Sequence, residues 1–430
     1  MQIHVVDQGD TLFSLANTYT TSITAIADAN ELEAPDNLVV GQALVIPIIG
    51  QFYFVQPGDS LYSIGIRFGI PYQELARINN ISVESTLSVG LRLYIPPWDK
   101  RPITSYAYIE PFGETVSETL ENAAIKNSPY LTYLALFSYR VNRDGTLTPP
   151  PLGNIGQIAE DNNAALTMVV TNLEEGAFSD ELGNIILTVQ AVQNTLLDNI
   201  VNAATAGGFV DVHFDFEFLL AEDREAYNSF LRRAKERLSQ EGLLLSTALA
   251  PKTSATQAGQ WYEAHDYAAH GEIVDFVVLM TYEWGYSFGP PLAVSPINEV
   301  RRVIEYAVTE IPPEKILMGQ NLYGYDWTLP FVEGGPAARA VSPQQAIAIA
   351  LENKADIQYD TTAQAPFFIY TDDEGSQHEV WFEDARSIQA KFDLIREFNL
   401  LGIAYWKLGL AFPQNWLLLD DQFTITKIEE

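Results

Sequence analysis

The chain has 430 residues, with 24 Lys and Arg against 56 Asp and Glu, so its formal net charge is −32. This charge excludes a protein that binds nucleic acid by neutralising phosphates, because such proteins present a basic face. Apolar residues make up 47% of the chain, enough to bury a large core, which excludes global disorder. The absence of cysteine excludes disulfides, thiolate nucleophiles and cysteine metal sites.

Neither a metal ion nor an organic cofactor is expected, because the five histidines show no close metal-ligand spacing. The first ten residues contain neither the basic nor the apolar region of a secretory signal, and no run of about 18 apolar residues predicts a membrane span. We therefore expect a chain that is made without a signal peptide and has no membrane partner.

The amino-terminal part contains two copies of one small module. A shift of 49 residues superimposes residues 4–47 on residues 53–96 without a gap. Each copy predicts a strand, a Gly-Asp turn, two helices and a closing strand before proline, in the order βααβ. The helix after the turn begins at a capping pair, Asp10-Thr11 or Asp59-Ser60. We predict module boundaries of 1–48 and 50–97.

The pattern V-x-x-GD-[TS]-L-x-S-[LI], followed by Asn and L-x-VG-x-x-L-x-IP, resembles the LysM module. LysM modules bind the N-acetylglucosamine glycans of peptidoglycan and chitin, so the resemblance implies a sugar groove between the Gly-Asp turn and the loop after the second helix. Taken singly, these residues could instead serve only as turn, cap and core. The implied groove residues are Gly9, Asp10, Thr11, Leu12 and Leu32 in the first copy and Gly58, Asp59, Ser60, Leu61 and Ile81 in the second.

The remaining chain predicts an α/β fold, a (β/α)8 TIM barrel over residues 98–430, entered through a Pro-rich linker at 96–104. Its apolar runs alternate with helical patterns such as 223–242, which ends at Gly242, and 384–399. Extra sequence at about 327–383 predicts a small α+β insertion with two strands around Asp-Glu-Gly. The eight runs are SYAYIEPF, LTYLALFSY, ALTMVVTN, FVDVHFDFEF, LLLSTALAP, VDFVVLMTY, KILMGQNLYGY and GIAYWKLGL.

The fourth run carries the candidate chemistry, because polar and apolar residues alternate through it without a slip. Asp211, His213, Asp215 and Glu217 therefore share one face. The large aromatics belong outside against helices, so the polar face is expected to line the barrel, with Glu217 at the carboxyl-terminal rim. Crowded carboxyls in a partly dry site have raised pKa values, which keeps a glutamic acid protonated for general acid catalysis. The alternative is a strand with a merely solvated polar face.

This strand resembles the DxxDxDxE signature of glycoside hydrolase family 18, the chitinase-like barrels. Three further segments agree: Met280-Thr281-Tyr282, Leu322-Tyr323-Gly324-Tyr325 and Tyr405-Trp406. Paired LysM modules on such a barrel resemble the spore cortex-fragment-lytic N-acetylglucosaminidases of endospore-forming bacteria.

The resemblance implies a substrate-assisted retaining mechanism, which departs from the usual scheme of two carboxylates. Glu217 would protonate the glycosidic oxygen, and the carbonyl oxygen of the substrate's own 2-acetamido group would attack C1. Asp215, about 7 Å along the strand from Glu217, would hold the acetamido N–H. Tyr282 would donate its hydroxyl to the acetamido oxygen. Trp406 would form the floor beneath the sugar, unless it is an ordinary core tryptophan.

The sequence departs from the family pattern at two places, with His213 where Asp is usual and Asp211 where Gly is usual. This puts the proton sharing of the inner carboxyl in doubt. His213 could hydrogen-bond to Asp215, or it could be a buried structural histidine. We expect a changed pH profile and retained activity.

Further candidates for substrate contact lie at other strand ends, where packing or loop capping is the alternative. They are Glu110, Tyr139, Asn172, Met280, Glu283, Gln320, Asn321, Tyr323 and Asp326.

The expected function is hydrolysis of spore cortex peptidoglycan after N-acetylglucosamine during germination, because the attacking sugar needs a free acetamido group, which muramic lactam lacks. The expected partner is the glycan strand, the expected state a monomer, and the expected location the spore coat or outer cortex, reached from the mother cell. Two alternatives stay open: a non-catalytic lectin-like glycan-binding protein and a chitinase. The negative charge predicts binding through neutral sugar faces, with little dependence on salt.

Overall fold

The structure is a computed structural model that describes residues 1–32, 37–97 and 99–428. The chain divides into two compact units. One contains residues 1–101 together with 413–423, and the other contains residues 102–412 together with 424–430. Among the described residues, no helix combines the length and the apolar composition that crossing a membrane requires.

Each repeat folds as the predicted βααβ module. Its two strands pair antiparallel, with Gln2 opposite Ile46 in the first copy and Gln51 opposite Ile95 in the second. The first helix of each copy begins at a capping box, formed by Thr11 with Ser14 or by Ser60 with Ser63, so the hydroxyls satisfy the free N–H groups of the first turn. The elements are Gln2–Val5, Leu12–Tyr19, Ile23–Ala29 and Ala43–Ile46, then Gln51–Phe54, Leu61–Phe68, Tyr72–Ile78 and Arg92–Ile95.

The second unit contains the predicted barrel. Eight parallel strands pair in chain order, and the eighth pairs with the first, so the sheet is closed. The linker is shorter than predicted, since the first strand already begins at Arg101; Trp98 of that linker lies outside the described residues. Barrel strands one to eight are Arg101–Ile109, Tyr133–Val141, Ala165–Thr171, Phe209–Asp215, Leu244–Leu249, Phe276–Leu279, Ile316–Asn321 and Gly402–Trp406.

Helices follow most barrel strands. The predicted helix 223–242 spans Arg224–Ser239, and Gly242 lies beyond its end at φ +74°, where it forms the turn into the fifth strand. Asp384 caps the predicted helix 384–399, which spans Ala385–Glu397. The α-helices after the modules are Glu118–Asn127, Ile155–Asp161, Asp180–Thr188, Gln190–Gly207, Arg224–Ser239, Tyr267–Ile273, Ile297–Glu310, Pro343–Glu352, Ala385–Glu397 and Pro413–Gln422; short 3-10 helices span Ser128–Tyr130, Ala221–Asp223 and Pro313–Lys315.

The insertion after the seventh strand is a five-stranded antiparallel sheet with one helix. It begins earlier than predicted, because Gly324–Leu329, whose first residues we placed in the seventh barrel strand, pairs with Arg339–Val341 and Gln377–Trp381 instead. The two strands predicted around Asp-Glu-Gly are present. The insertion strands are Gly324–Leu329, Arg339–Val341, Gln358–Asp360, Ala365–Thr371 and Gln377–Trp381; short strands elsewhere are Leu147–Thr148, Leu173–Glu174, Ala177–Phe178 and Phe423–Ile425.

One segment groups differently from our sequence-based division. We assigned residues 98–430 to the barrel domain, whereas residues 413–423 belong to the compact unit of the modules. Within that unit, Gln414 on the helix Pro413–Gln422 donates to Asn30 at 3.3 Å, and Lys100 lies 3.6 Å from Asp420.

Candidate active site

The fourth barrel strand directs its polar residues inward and its aromatics outward. Phe214 and Phe216 pack on the helix Arg224–Ser239, with ring centroids 5.2 Å from Phe230 and 5.8 Å from Tyr227, respectively. Asp211 and His213 are fully buried. The strand ends at Asp215, and Glu217 follows two residues later, at the carboxyl-terminal rim. The alternating pattern therefore folds as predicted, because helices cover the outer face of a barrel.

A cavity of about 360 Å³ opens at this rim, within the size range of small-molecule sites. Of the predicted site residues, seven line it: Asp215, Glu217, Met280, Tyr282, Glu283, Tyr323 and Trp406. The other lining residues are Tyr108, Phe137, Phe178, Trp261, Tyr325, Ala340, Lys407 and Leu410. The wall is thus mostly aromatic with a few carboxyls, which is the surface that the apolar faces and amide of an N-acetyl sugar require.

Asp215 and Glu217, two of the carboxyls that line the cavity, both have raised pKa values. Burial raises the pKa of Glu217 well above its ordinary value, the nearby charge of Asp215 raises it further, and a hydrogen bond from Trp261 opposes the rise. Burial also raises the pKa of Asp215. Asp215 Oδ1 is buried and has no hydrogen-bond partner among the described residues. The site can therefore hold a protonated Glu217 beside an Asp215 oxygen that is free to accept an N–H from a ligand.

Glu217 is held by its backbone and by its side chain. Asn172, at the end of the third strand, pairs with the Glu217 backbone: its Nδ2 donates to the carbonyl at 2.9 Å, and its Oδ1 accepts the N–H at 3.0 Å. Trp261 Nε1 donates to Glu217 Oε2 at 2.5 Å. Asn172 was predicted as a substrate contact, and the structure shows it as a support of Glu217 instead.

His213 does not contact Asp215 by a hydrogen bond, which corrects the first of our two alternatives. Its Nδ1 lies 2.8 Å from Ser246 Oγ, and its Nε2 lies 2.8 Å from the Tyr108 hydroxyl. Because Ser246 Oγ donates to Asp211 Oδ2, it accepts from Nδ1–H, so Nε2 accepts from Tyr108. Burial lowers the pKa of His213 to about 3 and raises that of Asp211 to about 7. His213 is thus a buried neutral imidazole, below the cavity and held by its neighbours.

Tyr282 and Trp406 both line the cavity. Tyr282 is buried, and burial raises the pKa of its hydroxyl well above the ordinary value, so the hydroxyl keeps its proton and can donate it in a hydrogen bond. Trp406, the last residue of the eighth strand, is half-buried, and its ring meets Tyr108 and Phe137 edge-on at 5.2 and 4.8 Å. These contacts orient the indole and leave part of it open to the cavity.

Several predicted residues lie away from the cavity. Gln320 and Asn321 are fully buried: Gln320 Nε2 donates to the Asn321 carbonyl, and Asn321 Nδ2 donates to the Tyr323 carbonyl. These bonds satisfy two backbone carbonyls at the end of the seventh strand. Tyr139 packs on Phe209, with ring centroids 5.8 Å apart.

Asp326 and Glu110 each form an ion pair with a basic side chain. Asp326 lies on the insertion sheet beside a separate cavity, where it accepts from Arg339 at 2.9 Å and contacts His378 at 2.8 Å. Glu110 is ion-paired with Lys407, which itself lines the catalytic cavity. Glu110 therefore reaches the site only through Lys407.

Sequence reasoning missed Trp261, Tyr108, Phe137, Phe178 and Lys407. Trp261 follows Glu217 by 44 residues in a loop without regular pattern, so no local signal identified it. Tyr108 is the next-to-last residue of the first strand, in SYAYIEPF, and its inward direction follows from the alternation of that strand, which we did not use.

In the modules, the implied groove residues divide by exposure. Gly9, Thr11, Gly58 and Ser60 are exposed. Leu12 and Leu61 are buried in the module cores, against which Leu32 and Ile81 also pack, so these four leucine and isoleucine side chains serve mainly as structure.

The aspartates of the two Gly-Asp turns, Asp10 and Asp59, form hydrogen bonds with residues of their own modules. Asp10 accepts from the Asp7 N–H at 2.9 Å and contacts His4 at 2.9 Å. Asp59 accepts from the Gln56 N–H at 2.7 Å and from the Tyr53 hydroxyl at 2.5 Å. Both carboxylates therefore fix the turn that carries the exposed glycine.

Comparison with known proteins agrees with this geometry. The LysM domain matches residues 4–47 and 53–96, and the family described as Glycosyl hydrolases family 18 matches residues 98–411. The cortical fragment-lytic enzyme of Bacillus subtilis (strain 168) is 68% identical over 99% of each chain.

Two crystal structures share the whole architecture. The spore cortex-lytic enzyme SleL of Bacillus megaterium QM B1551 is 54% identical over 100% of this chain and 99% of its own, with a TM-score of 0.91. SleL of Bacillus cereus is 51% identical over 99% of this chain and 98% of its own, with a TM-score of 0.92. The chain belongs to glycosyl hydrolase family 18 and carries two LysM modules ahead of its catalytic barrel.

Proposed function

We propose that this glycoside hydrolase degrades spore cortex peptidoglycan during germination and cleaves after N-acetylglucosamine. The relatives that match over nearly the whole chain are named for lysis of cortex or of its fragments, which supports this substrate. The observation that carries the proposal is the pairing, in one cavity, of a Glu217 whose pKa is raised with a buried Asp215 oxygen that has no partner among the described residues.

In the proposed mechanism, Glu217 gives its proton to the glycosidic oxygen. The carbonyl oxygen of the 2-acetamido group forms a bond to C1 as the C1–O bond breaks, and the leaving oxygen takes the electron pair of that bond. Asp215 accepts the acetamido N–H, and Tyr282 donates to the acetamido oxygen and holds it at C1. Glu217, now ionised, then takes a proton from the water that opens the oxazolinium ring.

Substrate choice follows from this attack. The sugar on the non-reducing side of the cut must carry an acetamido group, and the lactam of cortex muramic residues consumes that group. Cleavage after N-acetylglucosamine is therefore consistent with the site. Trp406 offers an apolar face beneath that sugar, since C–H faces of sugars stack on aromatic rings.

The modules are proposed to hold the enzyme on its polymer. Their exposed turns carry no concentrated positive charge, and the whole chain has a net charge of −32, so binding would use neutral sugar faces and vary little with salt. We further propose that the protein acts as a monomer, located in the spore.

The test is muropeptide analysis of cortex digests by the wild type and by Glu217→Gln. Wild type should release fragments with new reducing-end N-acetylglucosamine. Glu217→Gln should release at least about 100-fold less, because it loses the general acid, while binding to cortex is unchanged. Asp326→Asn is the matched control, since Asp326 lies outside the catalytic cavity.

Three outcomes would contradict the proposal. Equal binding and no products from either protein would favour a lectin. New reducing-end muramic acid would indicate a muramidase, and turnover of chitin in place of cortex would indicate a chitinase.

A further inference from the structure

The catalytic carboxyl has one donor on one of its two oxygens. Trp261 Nε1 lies 2.5 Å from Glu217 Oε2. Within the described residues, no other side chain donates to this carboxyl, because Asn172 binds only the Glu217 backbone. The two oxygens of Glu217 are therefore unequal before any substrate arrives.

The indole of Trp261 is fixed by its surroundings. Its ring stacks on Phe218, with centroids 6.2 Å apart and planes 14° from parallel. Phe218 has a φ of +53°, and the neighbouring Gln260 donates to its carbonyl at 2.9 Å. Gln260 also donates to Asp180 at 3.0 Å, and Phe178 lies 6.5 Å from Phe218. Phe218, the residue after Glu217, thus holds the indole ring of Trp261 that contacts the Glu217 carboxyl.

The chemistry of an indole N–H makes this contact directional. It can donate a hydrogen bond but cannot accept one, so Oε2 must present a lone pair to it. The carbonyl oxygen of a carboxylic acid accepts a hydrogen bond more strongly than the hydroxyl oxygen does, so the donor at Oε2 favours the form in which Oε2 is the carbonyl oxygen. The proton of Glu217 is therefore favoured on Oε1.

We propose that Trp261 is a positioning residue that keeps the acid proton of Glu217 on Oε1. The inference rests on the proposed role of Glu217 as general acid. The proton passes from Oε1 to the glycosidic oxygen as the C1–O bond breaks, and the charge left on the carboxylate is stabilised by the N–H at Oε2. The same bond then holds the carboxylate while Oε1 takes a proton from water.

The hydrogen bond from Trp261 also affects how the reaction depends on pH. The N–H favours the ionised carboxylate, so the bond lowers the pKa of Glu217 against the raising effects of burial, Asp215 and Glu283. Removing the Trp261 N–H should therefore raise the pH at which Glu217 loses its proton. The basic limb of kcat against pH, which reports that loss, should move to higher pH.

The experiment replaces Trp261 with 3-benzothienylalanine, which keeps the shape and stacking of the ring but has sulfur in place of the N–H. The full chain is assayed on soluble cortex fragments over a range of pH. The matched control carries the same substitution at Trp381, whose Nε1 donates to Glu379 at 2.7 Å outside the cavity. Trp261→Phe provides a second variant without the donor.

We expect kcat of the Trp261 variant to fall about tenfold, the size of one hydrogen bond to a charged group, with KM nearly unchanged and the basic limb shifted upward. The Trp381 variant should match the wild type. Unchanged kcat and pH profile in the Trp261 variant, with an active wild type, would overturn this inference alone. A wild type that releases no product would overturn the proposed function as well.

Discussion

At the scale of single residues, the barrel interior contains a neutral imidazole where the family usually has a carboxyl. His213 links Tyr108 of the cavity wall to Ser246 and Asp211. Its pKa falls from 6.5 to about 3 on burial, so its contribution to stability is complete above pH 6.5 and is lost as the pH falls toward 3. Near neutral pH the His213 imidazole is uncharged. The pKa values of Asp215 and Glu217 are therefore not raised further by a carboxylate at position 213.

This predicts different outcomes for two substitutions at position 213. His213→Gln introduces no charge, so the basic limb of kcat should stay where it is in the wild type. His213→Asp places a carboxyl near Asp215 and Glu217, which should move the limb upward by about one pH unit, because a like charge disfavours ionisation. The measurement is kcat against pH on soluble cortex fragments. An equal shift in both variants would show that the imidazole acts through its shape and not through its neutrality.

How much of the site was predictable depended on whether the signal was local. The inward face of Asp211, His213 and Asp215 followed from alternation along one strand. The partners of His213 could not be predicted, since Tyr108 and Ser246 belong to the first and fifth strands, and their meeting depends on the curvature and stagger of the closed sheet. Asn321 and Asp326 show the converse: we placed them at the site because they lie at strand ends, but Asn321 already binds the Tyr323 carbonyl and Asp326 already binds Arg339.

At the scale of elements, the first helix of each module exposes an aromatic residue in its first turn. Phe13 is 67% exposed and Tyr62 is 63% exposed, at positions related by the 49-residue repeat. Each lies beside the exposed turn that carries Gly9 or Gly58. An exposed ring at the same place in both copies is a surface on which a sugar face can stack.

We therefore expect the double substitution Phe13→Ala and Tyr62→Ala to weaken binding to intact peptidoglycan about tenfold, from about 1 kcal/mol or slightly more of lost stacking. Turnover of soluble fragments should not change, because the cavity contains no module residue. A pull-down on insoluble cortex measures the binding, and release of product from soluble fragments measures the turnover. The control is Ile49→Ala, which removes a 79% exposed side chain between the modules. If this control weakens binding equally, the weaker binding comes from a general loss of exposed apolar surface and not from lost stacking on the two rings.

At the scale of the whole molecule, the modules and the segment 413–423 form one compact unit. The helix Pro413–Gln422 buries Trp416, Leu418 and Leu419. A fragment without residues 1–97 would retain this helix but lose the partner that includes Asn30.

Deletion of residues 1–97 should therefore lower the thermal midpoint by several degrees and promote self-association through the uncovered helix. Loss of a few kcal/mol of apolar burial has an effect of this size. Differential scanning calorimetry and light scattering after size-exclusion chromatography are the measurements. Replacing Trp416 and Leu419 with polar residues in the fragment should reduce the association. A monomeric fragment with an unchanged thermal midpoint would show that the helix Pro413–Gln422 does not depend on the modules for its stability.

The grouping of the last helix with the first hundred residues also affects how the protein is made. The two LysM modules are translated first, but the helix Pro413–Gln422 of the same unit is translated only after every strand of the barrel. The unit that contains the modules is therefore complete only after the whole barrel has been synthesised, so a chain truncated before Pro413 would lack part of that unit.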